Sequence, residues 1–200
     1  MPHQNTDGTA NIGLQLWVDL PEKLKSCEPR YRDLKAAEIP QAKSEDGKVE
    51  VKVISGRAFG VDSLQELAYT PVWLLDFTVK AGGKLVQSLP AKWNSFLYTL
   101  NGTTTFGSGS DARAVGPYHN VVWKQEGDAV VAEVDEKAEQ DSRFVLIAGL
   151  PLAQKIIQYG PFVVSKQEDI YQAMSDYQSY SNGFERARGW ESEIGKSMVH

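Results

Sequence analysis

Residues 13–20 alternate apolar and polar positions, with Leu14, Leu16 and Val18 on one face and Gln15, Trp17 and Asp19 on the other. A period of two predicts a half-buried strand. Residues 1–11 before it are rich in Asn, Thr and Gly and read as loop, and Pro21 ends it. The strand therefore has no sequence neighbour to pair with. Residues 21–47 are charged, carry Pro21, Pro29 and Pro40, and read as a linker with one short helical turn near Arg32–Ala37. Ser44-Glu45-Asp46-Gly47 reads as a turn.

From residue 48 to 164 the pattern is strands and turns. Val49–Ile54 alternates cleanly, and Val72–Val79 is apolar enough for a buried strand. Phe96–Leu100, Asn101-Gly102 and Thr103–Phe106 predict a hairpin with a type I′ turn. Val121–Trp123 and Ala129–Val134, joined through Glu126-Gly127-Asp128, predict a second hairpin. Phe144–Ala148 predicts a short buried strand, and Gly160–Val164 a last one. Seven or more short strands at this spacing predict an antiparallel sandwich or barrel. Ser165-Lys166-Gln167-Glu168 predicts a capping box, followed by a helix with Ile170, Ala173, Met174 and Tyr177 on one face. Asn182–Arg188, carrying Phe184, predicts a further turn-plus-helix piece.

Composition narrows the function classes. The chain has 200 residues, 42% hydrophobic and 10% aromatic, enough for a packed core. Its net charge is −5 and its pI about 5.3, without a basic run, which argues against direct nucleic-acid binding. A lone cysteine, Cys27, fits a reducing compartment and reads as an incidental thiol. There is no apolar signal region at the start, and the longest uncharged apolar stretch, Phe144–Gln154, is far below the ~20 residues of a membrane helix. Asn101-Gly102-Thr103 is formally a glycosylation sequon, but the turn reading takes precedence. These features describe a soluble, intracellular chain.

Candidate chemistry is sparse. The three histidines, His3, His119 and His200, are not at metal-ligand spacing, and His119 reads as a turn residue at a barrel rim. Asp135, Glu136, Glu139 and Asp141 cluster in sequence, but Lys137 and Arg143 intervene, so the segment reads as a solvated loop. Gly107–Ser110 lacks the ending of a phosphate loop. No catalytic, cofactor-binding or metal-binding residue is assigned.

Specific words of the sequence do carry a resemblance. Gly13–Leu20, Glu28-Pro29-Arg30-Tyr31, Ala37–Pro40 and Trp93–Phe96 resemble segments of the pirin family, in family order. So do Phe144–Gly149, Gln158–Val163 and Asn182–Ala187. Pirins are bicupins, two jelly-roll barrels in one chain. The resemblance implies a mainly β, cupin-type jelly-roll barrel with a C-terminal helix. It implies four parts: the end of an N-terminal cupin at 1–20, a linker at 21–47, the C-terminal cupin at 48–164 and a helical segment at 165–200. It also explains the partnerless strand as a late strand of the first cupin, and gives the helix face a second surface to cover besides its own barrel.

The family's metal, usually iron, is held in the N-terminal cupin by a His-x-His and a later His-x-Glu motif, the latter followed by Met-Pro. This chain begins Met1-Pro2, so the resemblance places its start just after the last ligand, and no ligand position is carried over. Leu85-Val86 and Tyr118-His119 depart from more polar, His-containing family pairs. The expected cofactor content of this chain is therefore none. The family roles are flavonol dioxygenase activity of the quercetin 2,3-dioxygenase type, which needs the metal, and binding of nuclear transcription regulators. The reading favoured is a protein-binding module of the transcription-coregulator type, with self-association through the edge at 13–20. The alternative is a fragment of an iron-dependent pirin whose Met1 is internal to a longer chain.

Overall fold

Val49, Val51 and Val53 are at most 2% exposed, and the residues between them are half-buried, so one sequence period of two becomes one buried sheet face. The same logic builds most of the protein in the computed structural model, which describes residues 8, 12–64, 69–193 and 196. Twelve strands fall within the compact unit Cys27–Ala153. They are β1 (Gln41–Lys43), β2 (Val49–Ser55), β3 (Arg57–Ala58), β4 (Val61–Asp62), β5 (Val72–Val79) and β6 (Lys84–Ser88). Next come β7 (Asn94–Asn101), β8 (Thr104–Phe106), β9 (Arg113–Val115), β10 (Asn120–Val122), β11 (Ala129–Glu133) and β12 (Ser142–Gly149).

Two antiparallel sheets result. The six-stranded sheet runs β1-β2-β5-β12-β7-β10 and the four-stranded sheet β6-β11-β8-β9. Their inner faces share one apolar core that includes Leu75, Phe77, Leu97, Phe144 and Leu146 from the first sheet. Leu85, Phe106, Val130 and Ala132 come from the second. The sequence-predicted β fold class is the one observed. β3 and β4 add a small separate hairpin.

The two predicted hairpins are corrected. β7 pairs with β12 and β10, whereas β8 pairs with β11 and β9. Asn101-Gly102 therefore carries the chain from one sheet to the other. A type I′ turn needs two left-handed residues, but only Gly102 is left-handed here, at φ +66°. Two hydrogen bonds hold the corner. Asn101 Nδ2 donates to the Asp141 carbonyl beside the neighbouring strand β12 at 3.0 Å, and the Thr104 and Ser142 hydroxyls are hydrogen-bonded to each other across the two sheets. The second predicted hairpin fails the same way, because β10 joins the first sheet and β11 the second.

A second unit comprises Met1–Ser26 and Gln154–His200. In it β13 (Ile157–Tyr159) pairs with β14 (Phe162–Val164), so the last predicted strand forms its own ribbon and joins neither large sheet. Helix α1 (Gln167–Ser179) follows. The capping box is also corrected. The helix starts one residue later than predicted, with Lys166 as N-cap and no side-chain cap. Ser165 is left with a buried hydroxyl that has no hydrogen-bond partner. The predicted face is present: Ile170 is buried, Ala173 and Met174 are half-buried, and Tyr177 packs edge-on against Phe184, as does Phe162. The predicted half-buried strand at 13–20 is corrected: it forms no regular element, joins no ladder among the described residues, and exposes Leu14, Leu16 and Val18, because no neighbouring strand covers that face. Asp19 is paired with Lys25 at 2.5 Å, and Gln154 Nε2 donates to the Leu20 carbonyl at 3.0 Å.

The sheet-crossing corner makes a testable demand. A Cβ on Gly102 would lie 2.7 Å from the Asp141 oxygen and the Ser142 Cα. Gly102→Ala is expected to destabilise the protein by roughly 3 kcal/mol in urea unfolding. Gly127→Ala, left-handed at φ +88° but with open space around it, is expected to cost only about 1 kcal/mol.

Candidate functional site

In a β-barrel the first place for a ligand is the lumen. Here it is filled. Leu75, Phe77, Leu97, Phe144 and Leu146 are fully buried, and Phe106 is 3% exposed. Phe144 sits between Phe77 at 5.5 Å and Phe106 at 5.1 Å, centroid to centroid. Side chains of this size leave the interior as close-packed core.

Concavity appears instead where β2 ends and β5 begins. A cleft of about 370 Å³ is lined by Ser55, Gly56, Ser63, Tyr69, Trp73 and Trp93, among others. Gly56, at φ +107°, lets the Trp73 ring lie against the backbone; a Cβ there would sit 2.4 Å from Trp73 Cγ. Trp93 meets Trp73 edge-to-face at 5.9 Å. The hydroxyls are committed: Ser55 donates to the Val72 carbonyl at 2.6 Å, and Ser63 accepts from the Gly56 N–H at 3.0 Å. Tyr69 donates to the Glu28 carbonyl at 2.6 Å, under the Arg30 guanidinium 3.8 Å from its ring centre. This cleft has no histidine among the described residues that line it. Its shape suits binding.

The charged candidates separate. Asp135, Lys137 and Glu139 line an open groove of about 700 Å³ together with Thr103 and Thr105, and all three charged residues are exposed. Arg143 leaves this cluster altogether. Its Nε and Nη2 donate to the two Asp76 carboxylate oxygens at 2.9 and 2.8 Å. Asp76 is 7% exposed, and Lys52 lies 3.8 Å away. The Asp76 carboxylate holds the Arg143 guanidinium above its ordinary pKa, and partial burial opposes this. On the barrel surface, the Lys43 ammonium, and then that of Lys80, holds the Glu50 carboxyl below its ordinary value. The Ser44 hydroxyl, followed by the Lys48 backbone N–H, does the same for Asp46.

His119 sits in a turn before β10, where Nδ1 donates to the Pro117 carbonyl at 2.8 Å. His3 and His200 lie outside the described residues. Cys27 is half-buried and free. The described residues contain no group of three His, Cys, Asp or Glu side chains placed to hold a metal. The iron implied by the resemblance does not fit this donor set. No helix among the described residues is long and apolar enough to cross a membrane. Sequence reasoning missed the Trp73–Trp93 cleft; its one signal is the Ser55-Gly56 interruption at the end of an alternating strand.

Two antiparallel sheets closing on one apolar core define a cupin-type barrel. The chain belongs to the pirin family, since residues 74–183 match the pirin C-terminal cupin domain. It is 45% identical to human pirin over 183 residues, 92% of this chain and 61% of that protein. It is 42% identical to a pirin-like protein of Solanum lycopersicum over 181 residues, 90% of this chain and 60% of the relative. The chain thus spans about three fifths of the length of these curated relatives. Quercetin 2,3-dioxygenase from Acinetobacter baumannii aligns with a TM-score of 0.72 at 23% identity. That alignment covers 82% of this chain and 54% of the enzyme, and the likeness is one of fold.

Two measurements test the electrostatics. Arg143→Met is expected to cost roughly 2 kcal/mol in urea unfolding, because it strands a nearly buried carboxylate. Glu50→Gln addresses acid stability. A lowered folded pKa contributes stability that is complete above the unfolded value, 4.5, and lost as pH falls through the folded one. The variant is expected to be less stable than the parent at neutral pH, with the difference closing below pH 4.5. Unfolding curves across a pH series read this out.

Proposed function

We propose that this pirin-like cupin acts as a protein-binding module of the transcription-coregulator type, working in the cytoplasm or nucleus. The observation that carries the reading is the filled barrel: Phe77, Phe106 and Phe144 occupy the place where a cupin could otherwise hold substrate. A rigid barrel of this kind serves as a framework for surfaces. Ile12, Leu14, Leu16, Trp17 and Val18 lie in an exposed stretch outside any ladder, Trp17 at 65%. Unpaired backbone with alternating apolar side chains is suited to strand addition by a partner protein or by a second copy. The net charge of −5 favours protein over nucleic acid as the partner.

The alternative is oxidoreductase action of the quercetin 2,3-dioxygenase type in a longer, iron-loaded pirin. Its support is the family relationship and the length of the relatives beyond this chain.

Purified chain should be assayed against immobilised transcription-regulator domains, and separately for oxygen uptake with quercetin and ferrous iron. The expected result is saturable binding to at least one domain, weakened in Trp17→Ser, with oxygen uptake no faster than in protein-free iron and quercetin. Failure of every domain to bind, or turnover above that background, would overturn the proposal. Light scattering on both variants separates partner binding from self-association.

A further inference from the structure

The turn between β3 and β4 is the two-residue loop Phe59-Gly60. Both residues are left-handed, at φ +46° and +77°. Glycine takes that conformation freely and asparagine readily, but a bulky side chain pays for it in strain. Phe59 is nonetheless there, and 42% of it faces solvent. A backbone outlier that displays an aromatic ring is a feature for which stability alone gives no reason.

The ring borders a cleft of about 290 Å³, distinct from the one between Trp73 and Trp93 but sharing Trp73 as a wall. Val86, 68% exposed on β6, forms another side. Gln87 supplies the polar group. It is 7% exposed, and its Nε2 donates to the Arg57 carbonyl at 3.1 Å and the Ser88 carbonyl at 2.8 Å. Those two bonds fix which end of the amide is nitrogen. The oxygen, Oε1, receives no hydrogen bond from any described residue. A nearly buried side chain thus keeps an acceptor unspent at the lining of an aromatic cleft.

We propose that this cleft binds a small planar aromatic bearing one N–H or O–H donor. The ring lies against Phe59 and Trp73, and the donor reaches Gln87 Oε1. The volume limits the ligand to about one fused pair of rings, near the lower bound of ordinary ligand sites. Arg57 and Ser88 also line the cleft, but the Arg57 guanidinium is paired with Asp62 at 3.5 Å, so the described lining offers no unpaired charge and selects a neutral molecule, because a charged one would leave its solvation unreplaced. The strain at Phe59 is then the cost of holding a ring where the ligand needs one. This site does not depend on the coregulator reading, since none of its lining residues belongs to the stretch 12–18.

The test is isothermal titration of the full chain with indole and with 1-methylindole, which has the same ring but no N–H. A parallel pair, 2-naphthol and 2-methoxynaphthalene, distinguishes an O–H donor from an N–H donor. Saturable binding of at least one donor-bearing probe, with its capped analogue weaker by about tenfold, is expected. The decisive variant is Phe59→Asn. Asparagine tolerates the left-handed turn, so this protein should melt at a higher temperature than the parent while binding the probe about tenfold more weakly. Equal affinity for capped and uncapped probes, unchanged binding in Phe59→Asn, or no saturable binding of any probe would each overturn the proposal.

Discussion

Strand β12 holds the larger sheet in register. It pairs along its whole length with β5 on one side, from Ser142↔Val79 to Gly149↔Val72, and with β7 on the other. Five consecutive residues, Phe144 to Ala148, are at most 8% exposed. A slip of one residue would turn Phe144 and Leu146 out of the core and bring Val145 and Ile147 in. The irregularity between Arg143 and Phe144 in the β7 pairing lies at the end of this stretch. Arg143 there reaches the neighbouring strand and closes on Asp76. Ser142, one step earlier, ties the sheet to β8 through Thr104. Sheet register, surface ion pair and cross-sheet hydrogen bond all depend on one strand.

Much of this was legible from the chain. β2 and β5 follow from apolar periodicity because burial on one or both faces leaves a local trace. The pairing partners did not follow, and the reason is physical. Asn101-Gly102 is the strongest hairpin signal in the sequence, yet it marks a corner between sheets. A left-handed glycine reverses the chain locally, but which sheet receives the next strand is decided by Thr104, Ser142 and Asp141, about forty residues apart in sequence. The two-residue turn of the β3–β4 hairpin, with both residues left-handed, carries Phe59, which no turn preference would select. Helix α1 shows a similar limit, since Ser165 has the right chemistry for a cap but lies one residue too early.

The clefts were legible hardly at all. Trp73, Trp93, Phe59 and Gln87 come from four different segments, and nothing in their spacing announces that they share walls. The acidic run near residue 135 is conspicuous in sequence, but its charges stay in solvent and Arg143 turns away from them. Side chains of one loop can be read as a group. Side chains assembled by strand order cannot, because strand order is set by distant contacts.

The alternation of successive strands between two sheets has a kinetic side. Since β7 does not pair with β8, nor β10 with β11, the central ladders of the two large sheets, β12 with β5 and β7 and β11 with β6, join distant parts of the chain. Loop-closure entropy must be overcome before those contacts repay it, so folding is slow for a domain of this size. While β12 is still unplaced, β5 and β7 each present an apolar, unpaired edge. The apolar run that makes the finished barrel rigid is, during that interval, the segment a chaperone would have most reason to hold.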